Sequence, residues 1–315
     1  MKILICGATG FIGHNLLLRY AGRNDVQVTG TYLSHKPPEV NNVNWIQADL
    51  TNAEDVERVV KDMDVILQAA ATTSGAQEIV NKPYFHVTDN AVMNSLLFKA
   101  AFKHNIKHLV FFSCTVMYQS SKTPVKESDF DANEEMFEPY FGAGWTKLYL
   151  EKMCQFFARI GSTKYTAIRH SNIYGPYDKY DLERSHVFGA TMTKVLLAES
   201  DIVTVWGRGD EARDLLYIDD LLRFVDLVIN NQESPFVLAN VGYGSCITIK
   251  ELVQKIIKLS GKNLKIEHDL NRPSLNTSLA LDCTKAKQEF GWEAKVSLDE
   301  GIKKTIDWYR AHLID

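Results

Sequence analysis

The sequence has no apolar run that approaches the roughly 18–20 residues a bilayer-spanning helix requires. It has no basic excess either: 35 Lys and Arg stand against 39 Asp and Glu, for a net charge of -4. That balance lacks the electrostatic footprint of a nucleic-acid binder. Cysteine is sparse, and Cys6, Cys114, Cys154, Cys246 and Cys283 are scattered. No Cys-x-x-Cys or Cys/His cluster marks a zinc or other metal site, and the usage suits a reducing, cytoplasmic compartment. Repeats, low-complexity tracts and linkers are absent. What remains, at 45% hydrophobic and 23% charged residues, is an ordinary globular composition for one large or two fused domains.

The first thirteen residues, MKILICGATGFIG, carry the densest information. The apolar stretch is short and broken by glycine, so it reads as a buried strand rather than a signal peptide. Gly7, Thr9, Gly10, Phe11, Ile12 and Gly13 then form a tight turn that opens a helix. Gly7 permits the turn, Gly10 removes a side chain where backbone must approach a pyrophosphate, and Gly13 lets helix and strand pack closely. Free N–H groups and the positive dipole end of the helix complete a phosphate cradle. The spacing is GxxGxxG, and it predicts a dinucleotide cofactor.

Strands are expected at 2–6, 26–32, 43–47, 64–68 and 107–113, with helices at 11–20, 53–61 and 89–103 between them. Helix 145–159 and strand 165–168 continue the alternation. This pattern predicts a doubly wound parallel α/β sheet of Rossmann type. After Asn172 the character changes. Pro176 and a polar stretch from Tyr177 to Ser185 interrupt the repeat, followed by expected strands 202–206 and 215–218 and a helix near 219–230. Thr248-x-x-Glu251 and Ser297-x-x-Glu300 have the form of capping boxes, and Gly261 is a plausible stop for the first helix they open. The expected organisation is a dinucleotide-binding domain over 1–170, to which 212–240 returns. A smaller C-terminal α+β substrate lobe would be built from 171–211 and 241–315.

Asp49-Leu50 follows a strand; the acid either holds an adenine amino group or caps the next helix. The end of the second strand carries no acid to bind a ribose 2′-hydroxyl. Ser34, His35 and Lys36 stand there instead, which would tolerate a 2′-phosphate and leans towards NADP over NAD. Ala69-Ala70-Ala71 lacks bulk where a cofactor would cross the strand ends. Asn90 is either a helix cap or a cofactor ligand. Ser113, Cys114 and Thr115 place three small polar groups at the end of a buried strand, where parallel sheets bind ligands.

In this order, Gly7-x-x-Gly10-x-x-Gly13, Asp49-Leu50, Ala69-Ala70-Ala71, the Ser113–Tyr118 block, Lys147 and Asn172-Ile173-Tyr174-Gly175-Pro176 resemble an extended short-chain dehydrogenase/reductase, the group of NAD-dependent nucleotide-sugar epimerases, dehydratases and reductases. Glu138-Pro139-Tyr140, Ser185-His186-Val187, Val205-Trp206-Gly207-x-Gly209, Arg213, Asn240-Val241-Gly242 and Gly291-Trp292 look most like GDP-L-fucose synthase and related GDP-sugar enzymes. The resemblance implies a Tyr that exchanges a proton with a sugar oxygen, usually at C4, and a Lys four residues later that holds the nicotinamide ribose. A Ser or Thr would bind the same sugar oxygen. It also implies Asn172, His186 and Arg213 at a nucleotide-sugar substrate, and a homodimer.

Two departures stand out. Four residues before Lys147 is Ala143, which has no proton to exchange, and the nearest tyrosine is Tyr140. On a regular helix a spacing of seven keeps two side chains within about 20° of one face but about 10.5 Å apart along the axis. Either a distorted helix start at Gly142 and Gly144 closes that gap, or Tyr140 lies outside the site. The Ser/Thr position falls on Cys114, a weak hydrogen-bond donor, with Ser113 and Thr115 beside it. The cysteine that would partner His186 in C3/C5 epimerisation falls on Val116, so that reaction is not implied. The expectation is an NAD(P)-dependent 4-keto reductase of a nucleotide sugar. The alternatives are a 4-epimerase or dehydratase, or a cofactor-binding relative without turnover.

Overall fold

The computed structural model describes residues 1–72, 83–182, 185–271 and 277–314; Glu183 and Arg184 of the polar stretch lie outside them. The large sheet contains β1 (Lys2–Cys6), β2 (Gln27–Tyr32), β3 (Val43–Gln47), β4 (Val65–Gln68), β5 (His108–Phe112), β6 (Lys164–His170) and β10 (Phe236–Val241). Their order is β10-β6-β5-β4-β1-β2-β3, and every pair is parallel. The central strands are apolar on both faces because both faces are covered. Ile3, Ile5, Leu67 and Val110 pack under the helices Phe11–Ala21 and Ile218–Asn231. Leu4, Ile66, Leu109 and Phe111 pack under the helices Ala53–Val60, Thr88–Lys103 and Phe141–Ile160.

A second sheet joins β7 (Asn172–Tyr174), β9 (Ala212–Tyr217), β11 (Cys246–Thr248) and β13 (Ser278–Leu279), while β8 (Ile202–Trp206) pairs in parallel with β12 (Lys265–Asp269). Because β9 belongs to this second sheet, the chain re-enters the large sheet's layers only at Ile218, six residues later than the expected boundary at 212. The helix Ile249–Ser260 begins with both bonds of the Thr248–Glu251 capping box and ends at Gly261, whose φ of 76° is left-handed. Ser297 Oγ accepts the Glu300 N–H at the start of the helix Leu298–Tyr309.

The helix Phe141–Ile160 begins four residues before the expected Trp145. A single 3-10 turn, Glu138–Tyr140, feeds directly into it. Gly144 lies so close to the preceding loop that a Cβ would stand 2.6 Å from Met136 Sδ, so glycine there lets the loop pack on the helix. No helix among the described residues is long and apolar enough to cross a membrane.

Candidate active site

The turn after β1 leaves no room for a side chain at Gly7 or at Gly13. Gly7 has a φ of 70°, and a Cβ on it would sit 2.7 Å from Ala70 Cα. A Cβ on Gly13 would sit 2.1 Å from the Gly7 carbonyl oxygen. Gly10 occupies the N-cap of the helix Phe11–Ala21, which has no side-chain cap and no acid in its first turn. The helix N-terminus is therefore left for an anion. Thr9, Phe11 and Ile12 flank it, half-buried. Ala69, Ala70 and Ala71 pass beside the turn at the end of β4. This cradle, with small residues on both strands that bound it, fits a dinucleotide pyrophosphate.

Ser34, His35 and Lys36 are exposed just beyond β2, beside the strand that carries the turn. Asp49 is exposed and accepts from the Thr51 N–H at 2.9 Å and the Thr51 hydroxyl at 2.7 Å. It does not cap the helix Ala53–Val60. Asn52 does so, accepting from the N–H groups of Glu54 and Asp55. Leu50 is buried in the core. Asn90 is also reassigned. Val87 is the cap of its helix, and the Asn90 amide is spent on the backbone of Thr72 and His86. It positions the segment after β4 rather than offering a free group to a cofactor.

Lys147 projects from the helix Phe141–Ile160 to the end of β5, where its Nζ donates to the Phe112 carbonyl oxygen at 2.9 Å. Burial holds its pKa below the ordinary lysine value, and the neighbouring Cys114 and Glu151 oppose that shift. Ser113, expected at the reacting oxygen, turns away. It is 1% exposed, and its Oγ donates to Glu151 Oε1 at 2.6 Å. Burial raises the Cys114 pKa, so its thiol keeps the proton despite Lys147 nearby.

Thr115, by contrast, lines a cavity of about 270 Å³ together with Val116, Tyr140, Asn172 and Arg213. Tyr140 reaches it because it stands on the 3-10 turn ahead of the helix, so the regular-helix spacing of seven to Lys147 does not apply. Burial raises the Tyr140 pKa, and Arg213 pulls it back. Arg213 is held by backbone carbonyls: Nη1 donates to those of Ala212 at 2.8 Å and Thr277 at 2.5 Å. Asn172 Nδ2 donates to the Asp214 carbonyl at 3.2 Å. His186 is not among the residues lining this cavity; it occupies the N-cap of the helix Val187–Leu196, and its surroundings and Lys179 lower its pKa. A larger open groove of about 660 Å³, lined by Lys2, Asn44 and Asp62 among others, runs along the amino ends of β1 to β3. That is the wrong end of parallel strands for ligand chemistry.

Of the buried residues around the cavity, Arg169, Glu151 and Asp214 were not legible as site residues, whereas Tyr118 ends the Ser113–Tyr118 block and lines the cavity. Arg169 at the end of β6 bonds Glu151 twice, at 3.0 and 2.7 Å, and donates to the Tyr118 hydroxyl at 2.8 Å. Tyr118 donates to Asn240 Oδ1 at 2.9 Å. Asp214 accepts the backbone N–H groups of Tyr243, Gly244 and Leu281. The one signal available was the position of Glu151, four residues after Lys147 on the same helix.

A family model, described as the NAD dependent epimerase/dehydratase family, matches residues 3–242. The chain belongs to that family. It is similar to the GDP-L-colitose synthase of Yersinia pseudotuberculosis, with 29% identity over 98% of each chain. It is also similar to the GDP-L-fucose synthase of Escherichia coli, with 26% identity over 98% of this chain and 96% of that one. Among solved structures, it resembles the UDP-glucose 4-epimerase of Thermotoga maritima in complex with UDP-glucose. The TM-score is 0.88 and the identity 27%, covering 99% of this chain and 100% of that one. The family members are Rossmann-type nucleotide-sugar epimerases and reductases, and the seven-stranded parallel sheet has that architecture.

Proposed function

We propose that this chain reduces a 4-keto nucleotide sugar, GDP-linked, with NADPH as the preferred coenzyme, in deoxysugar or glycan biosynthesis. The observation that carries the reading is the single cavity that gathers Thr115, Tyr140, Asn172 and Arg213. Bound at the glycine turn, the coenzyme would supply the hydride that goes to sugar C4. Tyr140, kept protonated by burial, gives its proton to the oxygen as the C4 carbonyl becomes an alcohol. Thr115 hydrogen-bonds that oxygen, since Ser113 is committed to Glu151 and the Cys114 thiol is a weak donor. Lys147 holds the nicotinamide ribose from the adjoining strand end. Arg213 and Asn172 bind the diphosphate, a task that suits a guanidinium. Ser34, His35 and Lys36, with no acid among them, support a 2′-phosphate and hence NADP over NAD.

The relatives named as GDP-L-colitose and GDP-L-fucose synthases support a GDP-linked substrate. The likeness to a UDP-glucose 4-epimerase supports a second reading, epimerisation at C4 on the same groups. We also infer a cytoplasmic homodimer. Val92 on one helix, and Trp145, Tyr149 and Phe156 on the other, leave an exposed apolar row on the neighbouring helices Thr88–Lys103 and Phe141–Ile160.

The test mixes purified protein with 4-keto nucleotide sugars and either reduced coenzyme, and separately with parent nucleotide sugars and either oxidised coenzyme, following absorbance at about 340 nm, where only the reduced nicotinamide absorbs. Loss of absorbance with a 4-keto substrate supports reduction. Interconversion of parent sugars without net coenzyme consumption supports the epimerase reading. Coenzyme binding without turnover across the panel contradicts both. Tyr140→Phe is expected to lower kcat by roughly 10²–10⁴-fold.

A further inference from the structure

Among the residues that line the cavity beside Tyr140, Arg213 and Glu135 carry formal charge, and their signs are opposite. Glu135 belongs to the loop that leads into Tyr140, and its neighbours hold it in place. Gln119 Nε2 donates to the Glu134 carbonyl oxygen at 3.4 Å. Met136 is buried in the cluster that contains Met117 and Leu148, and its sulfur occupies the space that a side chain at Gly144 would take. With Met136 turned into that cluster, the residues on either side of it, Glu135 and Phe137, line the cavity. The Phe137 ring flanks the Tyr140 ring, with centroids 5.5 Å apart. The Glu135 carboxylate is exposed and makes no hydrogen bond or ion pair among the described residues. A carboxylate in a cavity that takes a diphosphate is costly wherever it meets another negative charge. It must therefore face a neutral or positive part of the ligand. With the diphosphate at Arg213 and the reacting oxygen at Tyr140, that part is the edge of the sugar that extends past Phe137.

We propose that Glu135 is a specificity-determining residue. Its carboxylate accepts a hydrogen bond from a hydroxyl or ammonium group of the sugar and repels a sugar that carries a carboxylate. The substrate class is then a neutral or amino hexose and not a hexuronate. Repulsion of the wrong ligand sets this preference as much as attraction of the right one. The proposal rests on the reading that this cavity holds a nucleotide sugar.

Calorimetric titration without coenzyme, so that nothing turns over, separates the two claims. The full chain is titrated with GDP-mannose and GDP-mannuronate, with UDP-glucose and UDP-glucuronate, and with free GDP and UDP. Within each pair the sugars differ only at C6, a hydroxymethyl group against a carboxylate. The wild type is expected to bind the hexose roughly 10-fold more tightly than the hexuronate in whichever pair it binds. Glu135→Gln should close most of that gap, chiefly by strengthening hexuronate binding, and Glu135→Lys should reverse it. Affinity for the free nucleotide should stay the same in all three. Salt provides a readout on the wild type alone. The diphosphate contributes equally to both members of a pair, so the hexose-to-hexuronate ratio should fall as salt screens the Glu135 charge. A wild-type ratio near one, a ratio indifferent to salt, or a ratio unchanged in Glu135→Gln overturns the assignment while leaving the nucleotide-sugar reading intact. An equal change for both sugars of a pair in Glu135→Gln overturns it too. No binding of any nucleotide sugar to the wild type overturns the nucleotide-sugar reading and this assignment with it.

Discussion

Arg169 and Glu151 form a two-pronged ion pair with each side chain only 4% exposed. The pair ties β6 to the helix that carries Lys147, and through Glu151 it also holds Ser113 at the end of β5. Removing one partner leaves an unpaired buried charge, which costs about 3–5 kcal/mol. Arg169→Met is therefore expected to lower the midpoint of urea unfolding sharply. The double change Arg169→Met with Glu151→Leu should be less damaging than the sum of the single changes, because neither charge is then stranded. Additive losses in a double-mutant cycle would contradict the coupling.

Gly7→Ala should damage stability and coenzyme binding together. The left-handed φ of 70° disfavours any Cβ by about 1–2 kcal/mol. The atom it would meet, Ala70 Cα, is backbone 2.7 Å away and cannot swing aside. Overpacking of this kind adds about 1–3 kcal/mol. Urea unfolding and coenzyme titration on the same preparation check both effects; wild-type values in both would contradict the packing described for the turn.

Acid should destabilise the protein in part through His108. The ring is buried, 2.7 Å from Thr166 Oγ1, and burial, together with Lys164, lowers its pKa to about 4. The unfolded chain takes up a proton at an ordinary histidine pKa of about 6.5, while the native state does not. Between those two values the unfolded state binds more protons, so stability is lost as pH falls through that window. The loss is on the order of 3 kcal/mol once the pH is below both. His108→Gln should flatten this part of the stability profile between pH about 6.5 and 4. An unchanged slope in that variant would assign the acid sensitivity elsewhere.

The first half of the fold was legible because its strands are continuous apolar runs bounded by turns, and a parallel sheet covered on both faces demands that pattern. Gly7 and Gly13 were legible for the same local reason: a strand, a turn and a helix lie within thirteen residues. Tyr140 was harder. A regular helix would hold it far from Lys147 along the axis, and only an irregular helix start, which the sequence leaves open, brings it in; the 3-10 turn Glu138–Tyr140 leads it into the cavity. Ser113 and Asn90 had the right residue type at the right place, yet their hydrogen bonds went to Glu151 and to the Thr72 backbone. Such commitments depend on partners 38 and 18 residues away, which no local pattern discloses. The β9 boundary was hidden likewise, since strand pairing is a tertiary fact.

The most direct measurement follows one atom. NADPH carrying deuterium at the transferable position of its nicotinamide is incubated with the protein and a GDP-linked 4-keto-6-deoxy sugar, and the product is read by mass spectrometry and proton NMR. The account predicts one deuterium at sugar C4, a new hydroxyl there, and a signal that falls steeply in Tyr140→Phe. Deuterium that stays on the coenzyme, or that enters the sugar at any other carbon, would contradict it.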